Sequence, residues 1–559
     1  MKWRYSFVFS ILVLLFVLII GRLFYWQVVK AEMLSELAIS QYSGSIKIMP
    51  KRGTIKTSDG FPIATNKVSY SLFVNPTEIK DKNQTILTLS SLLDVTKASI
   101  SASLLPDRFW VPIRSGIEAK EKERIEEMQI PGVGFEERYT RFYPEASVAA
   151  QLLGFVGKND AGENKGYVGL EGFYDRFLMG KEGYVVQFSD ALGRPIIPRK
   201  TSMLGGSDGG NLRLSLDRSI QFLAEQKLKA GIERYGAAGG MIGIMDPQTG
   251  DILAMASSPS FSQAQYWKYD ESLYKNPFIT NTYEPGSTLK PIIMASALDA
   301  GIITPQTICN ICAGPVSVSG YELHTWNDKY YKDSNMIEVI QHSDNIGMVF
   351  VALKLGSDKM ISYLTKFGMG KSTGIDLQGE TVPSLKPRSA WYDVDLATTG
   401  FGQGISVTPI ELLTAFSALA NEGKIMKPHV VTAFENSNGE VFKVPAKVAS
   451  TPISAKTAKI MAEILVNAVE KGEAQWTKLK GYRIAGKTGT ASIPVKGHYD
   501  PSSTIASFIG FAPVDKPKFV MLVILEKPTS SIYAAETAAP VFFDVAGNLL
   551  NYYGIPPSE

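Results

Sequence analysis

YRIAGKTGTASI (residues 482–493), TIASFIGFAP (504–513) and KFVMLVILEK (518–527) follow one another near the end of this 559-residue chain. Each is an apolar or β-branched run of strand length, and Val514-Asp515-Lys516-Pro517 between the last two reads as a hairpin turn. Beyond them, AAETAAPVFFDVAGNLLNYYG (534–554) has the spacing of a closing helix. Far upstream, GGMIGIMDPQTGDILAMASSP (239–259) reads as two further strands joined by a Pro-Gln-Thr-Gly turn. Just before it come a strand-like NLRLSLD (211–217) and a helical SIQFLAEQKLKAGIERYG (219–236) that stops at Gly236. Helical patterns fill the interval to about residue 480. Strands at both ends of a helical middle predict an α+β domain over 211–559, with an antiparallel sheet flanked by helices.

The texture before residue 211 is different. TSMLGGSDGGN, around 200–210, reads as a linker. Residues 30–205 predict an elongated, mainly β or mixed domain. In it, RGTIKTSDGFPIATN (52–66) forms a hairpin about Asp59-Gly60, SYSLFVNP (69–76) is a strand, and 78–130 carries helical spacing. GLEGFYDRFLMG, within 166–183, has an amphipathic centre between glycines. Ahead of all this, Tyr5–Gly21 carries no charge; as a helix its 17 residues span about 26 Å, slightly under a bilayer core. It extends to Val29 if Arg22 snorkels. Lys2 and Arg4 place residues 1–4 in the cytoplasm by the positive-inside rule. A cleaved signal peptide is the competing reading, but bulky RLFYWQVV stands where small residues are needed for cleavage. The expectation is a single-pass anchor over 5–29 in the plasma (inner) membrane, with the remainder extracytoplasmic.

Composition closes off several classes. At about 150 residues per domain the length allows three to four domains. Apolar residues at 45% and charged residues at 20% exclude wholesale disorder and a polytopic membrane protein. A net charge of +3 does not point to nucleic acid. Four histidines and two cysteines leave little material for a metal centre, and none is expected. Cys309 and Cys312 read as a redox pair, half a zinc site, or a local disulfide outside the cytoplasm.

Candidate chemistry lies in three short motifs. Ser-x-x-Lys puts a hydroxyl and an amine on one helix face, where the amine can take the serine's proton. About one chance occurrence is expected in a chain of this length. There are two: Ser272 with Lys275, in a polar aromatic stretch and taken as chance, and Ser287 with Lys290, framed by Glu284-Pro285-Gly286 and the helical run after Pro291. For Ser287 alone the bland alternative is a helix cap. Ser343-Asp344-Asn345 lies between helical patterns and by itself also reads as a cap or turn. Lys487-Thr488-Gly489-Thr490 sits on a predicted strand, so Lys487 and Gly489 face one way and Thr488 and Thr490 the other. The glycine there would admit a substrate backbone close to the strand.

In that order, the three motifs resemble those of serine acyl transferases that act on penicillins and their natural substrates. The chain resembles a class B, monofunctional penicillin-binding protein over nearly its whole length. MDPQTGDILAMASSPSF, YEPGSTLKP, TTGFGQGISVTP (398–409), RGTIKTSDGFPIA and GLEGFYDRFLMGKEG echo other segments of that family, although Ser58-Asp59-Gly60 departs from its usual Arg-Asn-Gly. The likeness is greater to the septal, cell-division branch than to the elongation branch.

The resemblance implies a peptidoglycan D,D-transpeptidase with a serine acyl-enzyme. Ser287 would be the nucleophile and Lys290 its base. Ser343 would relay a proton, Asn345 would orient Lys290 and the donor peptide, and Lys487 would complete the catalytic set. Thr488, Gly489 and Thr490 would bind substrate, whose terminal carboxylate suits a cation with hydroxyls. No cofactor is implied. Implied partners are D-Ala-D-Ala stem peptides, β-lactams, the membrane, a membrane-embedded glycosyltransferase and other division proteins. A β-lactamase, a carboxypeptidase and a non-catalytic sensor or scaffold share the motifs.

Overall fold

The structure is a computed structural model and describes residues 2–34, 43–104, 111–160, 162–189, 195–196, 203–495 and 498–557. The chain clusters into two units, one of residues 1–51 with 180–209 and the other of 52–179 with 210–559.

In the first unit, Lys2–Phe24 is an α-helix and Tyr25–Val29 continues it as π-helix, together long and apolar enough to cross a membrane. Arg22 lies 5.2 Å from the Trp26 ring centroid, a cation–π contact at the polar end of the run. The unit also holds an antiparallel sheet, in which Lys181–Ser189 pairs with Ser43–Ile48, Met203–Ser207 and Pro195–Ile196. The predicted linker is therefore partly a strand. Its glycines allow close strand approach: a Cβ on Gly206 would meet the Gly183 Cα at 2.7 Å. Residues 200–202 lie outside the described residues.

The second unit holds two large sheets. One is seven-stranded. Its predicted hairpin is present: Ile55–Lys56 and Pro62–Val74 pair antiparallel, and Gly60 turns between them at φ +88°. Val133–Phe142 and Val111–Ile117 pair with Pro62–Val74. Residues 78–130 are thus not wholly helical. Helices Lys82–Leu93, Lys97–Ser103 and Ala119–Glu126 flank the Val111–Ile117 strand, whose ends, Val111 and Ile117, are buried on the sheet. On the other side of the hairpin, Asn211–Leu214 runs parallel to Ile55–Lys56 and antiparallel to Val431–Glu435. One sheet therefore joins strands from both sides of residue 210.

Within the GLEG run, Glu171 is fully buried. It accepts from Arg52 Nε and Arg141 Nε at 2.6 Å each, and Arg52 Nη1 also reaches Asp175 Oδ1 at 2.7 Å. Burial works to raise the Glu171 pKa; the two guanidinium groups outweigh it and hold the carboxyl below the usual range.

The second sheet is the antiparallel one predicted, in the order Ile252–Ser258, Gly239–Met245, Phe519–Glu526, His498–Ala512, Ala485–Val495. Its central strand reads FVMLVIL without polar alternation because both faces are covered. Val520, Leu522 and Ile524 enter one core with helices Lys290–Asp299, Asn345–Leu355 and Pro409–Ala420. Phe519, Met521, Val523 and Leu525 enter another with Arg218–Tyr235 and Ala538–Tyr552. At about 25 cal/mol per Å², such two-sided burial makes this the most strongly held strand of the sheet. Ala485–Val495 is one of its two edge strands, which leaves one side open for the site.

Candidate active site

The turn Tyr283–Ser287 is held by the segment 402–407. Tyr283 and Val407 exchange backbone bonds at 3.0 Å, Gly286 N–H donates to the Gly402 carbonyl at 3.0 Å, and Gly404 N–H donates to Glu284 Oε1 at 3.0 Å. Gly286 adopts φ +55°, a left-handed conformation open to glycine. Gly286–Thr288 then makes one 3₁₀ turn, and the α-helix begins at Lys290. Ser287 is half-buried at the mouth, whereas Lys290 is fully buried. Pro291 fits the first helical turn because its missing N–H would have had no intrahelical acceptor there.

The Ser343-Asp344-Asn345 loop meets that lysine. Lys290 Nζ donates to the Ser343 carbonyl at 2.6 Å, to Asn345 Oδ1 at 2.8 Å and, more weakly, to Ser343 Oγ at 3.3 Å. Ser343 has φ +53°, a strained conformation for a residue with a Cβ. The cap reading of the motif also holds, through its middle residue: Asp344 Oδ1 accepts from Ile346 N–H at 2.8 Å and caps helix Asn345–Leu355. Asn345 Nδ2 donates to the His324 carbonyl at 3.2 Å, which orients the amide oxygen toward Lys290.

Lys487, buried on the edge strand, is close enough to Lys290 for the two charges to repel. Burial and then Lys487 push the Lys290 amine down to about 7, against the pull of Glu473 and Asp344. Burial lowers Lys487 as well, with Glu473 opposing. A lysine near 7 is poised to accept a proton at neutral pH.

Two predicted substrate contacts take other partners. At Gly489 one face of the strand is already packed: a Cβ there would meet Thr288 Cγ2 at 2.7 Å and the Pro285 carbonyl oxygen at 3.1 Å. The glycine admits the protein's own serine turn. Thr488 pairs across the sheet with Phe508, and its buried hydroxyl donates to Glu473 Oε2 at 2.8 Å. Thr490 remains exposed at the site. Its Oγ1 accepts from Ala534 N–H at 3.1 Å, which leaves its own O–H to donate. Glu473 was missed by the motif reading. It follows the end of helix Ala455–Lys471 and shares no local pattern with Lys487.

Cys309 and Cys312 form a disulfide. It lies where the Cys309 N–H donates to the Ser334 carbonyl, just before the helix that leads to Ser343.

Residues 240–547 match the penicillin binding protein transpeptidase domain, and 47–214 match the penicillin-binding protein dimerisation domain. The chain belongs to the penicillin-binding protein family. It is 33% identical to stage V sporulation protein D of Bacillus subtilis, over 100% of this chain and 86% of that one. It is 28% identical to the peptidoglycan D,D-transpeptidase FtsI of Escherichia coli, over 100% and 93%. Among solved structures, a peptidoglycan synthetase from Bifidobacterium adolescentis matches in fold, with a TM-score of 0.75 at 24% identity, covering 92% of this chain and 98% of that one. The dimerisation-domain match ends at Leu214, the last residue of the Asn211–Leu214 strand, and Val431–Glu435 lies in the transpeptidase-domain match, so their sheet is built from segments of both matched regions.

Proposed function

We propose that this penicillin-binding protein is a peptidoglycan D,D-transpeptidase that crosslinks stem peptides through an acyl-enzyme on Ser287, in septal wall synthesis. The observation that carries this reading is the buried Lys290 amine, lowered to about 7 and held by Ser343 and Asn345 one turn from a half-buried serine.

Lys290 takes the Ser287 proton as the oxygen attacks the penultimate D-Ala carbonyl. The backbone N–H groups of Ser287 and Thr490 face the developing oxyanion. Proximity of the two segments supports this: a Cβ on Gly286 would lie 3.3 Å from the Thr490 carbonyl oxygen. Ser343 returns a proton to the departing D-Ala amine, and the amine of a neighbouring stem takes the acyl group. With Thr488 engaged by Glu473, the substrate's terminal carboxylate falls to Lys487 and Thr490. β-Lactams acylate the same serine.

In this reading residues 1–4 are cytoplasmic, 5–29 cross the membrane, 30–205 form a pedestal and 211–559 the extracytoplasmic catalytic domain. A membrane-embedded glycosyltransferase supplies the glycan strands, and other division proteins bind the anchor and pedestal.

The test is labelling of the full chain in detergent with a fluorescent penicillin, read by intact mass, beside Ser287→Ala. A stable one-to-one adduct absent from the variant is the expected result. Rapid turnover of the penicillin would identify a β-lactamase, and incubation of the unlabelled chain with a pentapeptide and an acceptor amine separates crosslinking from simple release of D-Ala.

A further inference from the structure

Two lysines buried in one site pose a question of assignment. One must be neutral to act as base and the other must stay charged to hold a carboxylate, yet burial pushes both toward the neutral form. Their surroundings differ in one respect. Lys290 Nζ is met by a carbonyl, an amide oxygen and a hydroxyl, all uncharged. Lys487 Nζ donates to Thr488 Oγ1 at 3.0 Å, and that hydroxyl donates onward to Glu473 Oε2 at 2.8 Å. The chain of donors runs one way, from amine through hydroxyl to carboxylate, and the negative charge at its far end favours the protonated form of Lys487. Glu473 also shares with Lys487, Thr488, Gly486 and Phe508 a cavity of about 10 Å³ behind the strand, so its charge acts with little solvent between.

We propose that Glu473 is a positioning residue that acts through Thr488 to keep the proton on Lys487, so that Lys290 is the lysine that serves as base. This rests on the transpeptidase reading above and adds to it a residue outside the three motifs. The titratable groups facing the centre are Lys290 on its helix, His342 and Asp344 at the loop before helix Asn345–Leu355, Lys487 on the strand, and Glu473. Of these, Glu473 opposes the burial of both lysines, and it is the charge that acts on Lys487. Its backbone position is set by Gly472, where a Cβ would meet the Gln341 carbonyl oxygen at 2.7 Å, so the end of helix Ala455–Lys471 lies tight against the helix that leads to Ser343.

The experiment measures the second-order rate of penicillin acylation from pH 5 to 10 for the full chain, Glu473→Gln, Glu473→Asp and Thr488→Val, each checked for folding by thermal melt. If the unmodified chain is not acylated, the transpeptidase reading itself fails. If it is acylated, Glu473→Gln is expected to move both limbs of the pH profile down by about one unit, because loss of the carboxylate lowers both lysines. Thr488→Val moves the alkaline limb the same way, and Glu473→Asp restores the midpoints. A Glu473→Gln profile that is only scaled down at every pH, with midpoints unmoved, indicates a structural role and overturns the proposal. A shift in one of the two variants alone overturns the relay. Should Glu473→Gln not fold, Thr488→Val decides by itself.

Discussion

Two centres in the same structural unit bury charge, and they do it in opposite ways. Around Glu171 the signs alternate: Arg52 and Arg141 each hold one of its oxygens, and Asp175 holds the far side of Arg52. The net result is a carboxylate more acidic than usual and inert over the physiological range. Around Lys290 and Lys487 the signs repeat, and the neighbours of Lys290 are neutral oxygens. There the amine is pushed to where it exchanges protons at neutral pH. Burial is common to both; the sign of the nearest charge separates a cluster that fastens the fold from one that works on a substrate.

Substitution breaks this contrast most sharply at Lys290. Lys290→Met is expected to cut penicillin acylation by about a thousandfold, the scale of a lost general base. It should leave thermal stability within about 1 kcal/mol, since removing one of two buried like charges relieves the fold as much as it deprives it. A large drop in melting temperature would show that the lysine is structural. Glu171→Gln should behave in the reverse manner. Breaking a buried ion pair strands its partners and costs about 3–5 kcal/mol, read by chemical denaturation.

That cost should depend on pH in a defined direction. The folded Glu171 lies below the ordinary value of 4.5, so its stabilisation is complete above 4.5 and disappears as pH falls through the folded value. The stability gap between the chain and Glu171→Gln should therefore narrow below pH 4.5. A gap that stayed constant would mean that the ion cluster is not the source. The smallest effect is expected from the disulfide. Replacing Cys309 and Cys312 by alanine opens a loop of four residues, worth about 2 kcal/mol on chain entropy. Acylation of that variant should fall little if the helix leading to Ser343 is held mainly by its own cap. That cap is Asn335, which accepts from Ile337 and Glu338 N–H while Glu338 answers with its carboxylate.

The sequence was most informative where structure is local. The three C-terminal strands, the helix ending at Gly236 and the hairpin at Asp59-Gly60 follow from periodicity and turn chemistry over a few residues. It misled where one pattern serves two purposes. Met203–Ser207 looked like a linker because glycine marks both flexible joints and closely packed strands. Gly489 read as room for a substrate, and the same glycine also makes room for the turn at Pro285–Thr288. Val111–Ile117 was hidden among helices because the strand it pairs with lies some forty residues earlier.

By itself the sequence determined which chemical groups are present, in what order, and on which side of a strand or helix each one stands. Those properties depend on bond geometry within a few residues, and they were enough to point to a penicillin-binding protein. Tertiary structure alone decided that a sheet would combine strands near residues 55, 212 and 433. It also decided that Thr488 would donate to Glu473, and that Lys290 would give up its proton near neutrality. Acid constants and hydrogen-bond partners are set by distance and by the exclusion of water, and both exist only once separate segments of the chain have been packed together.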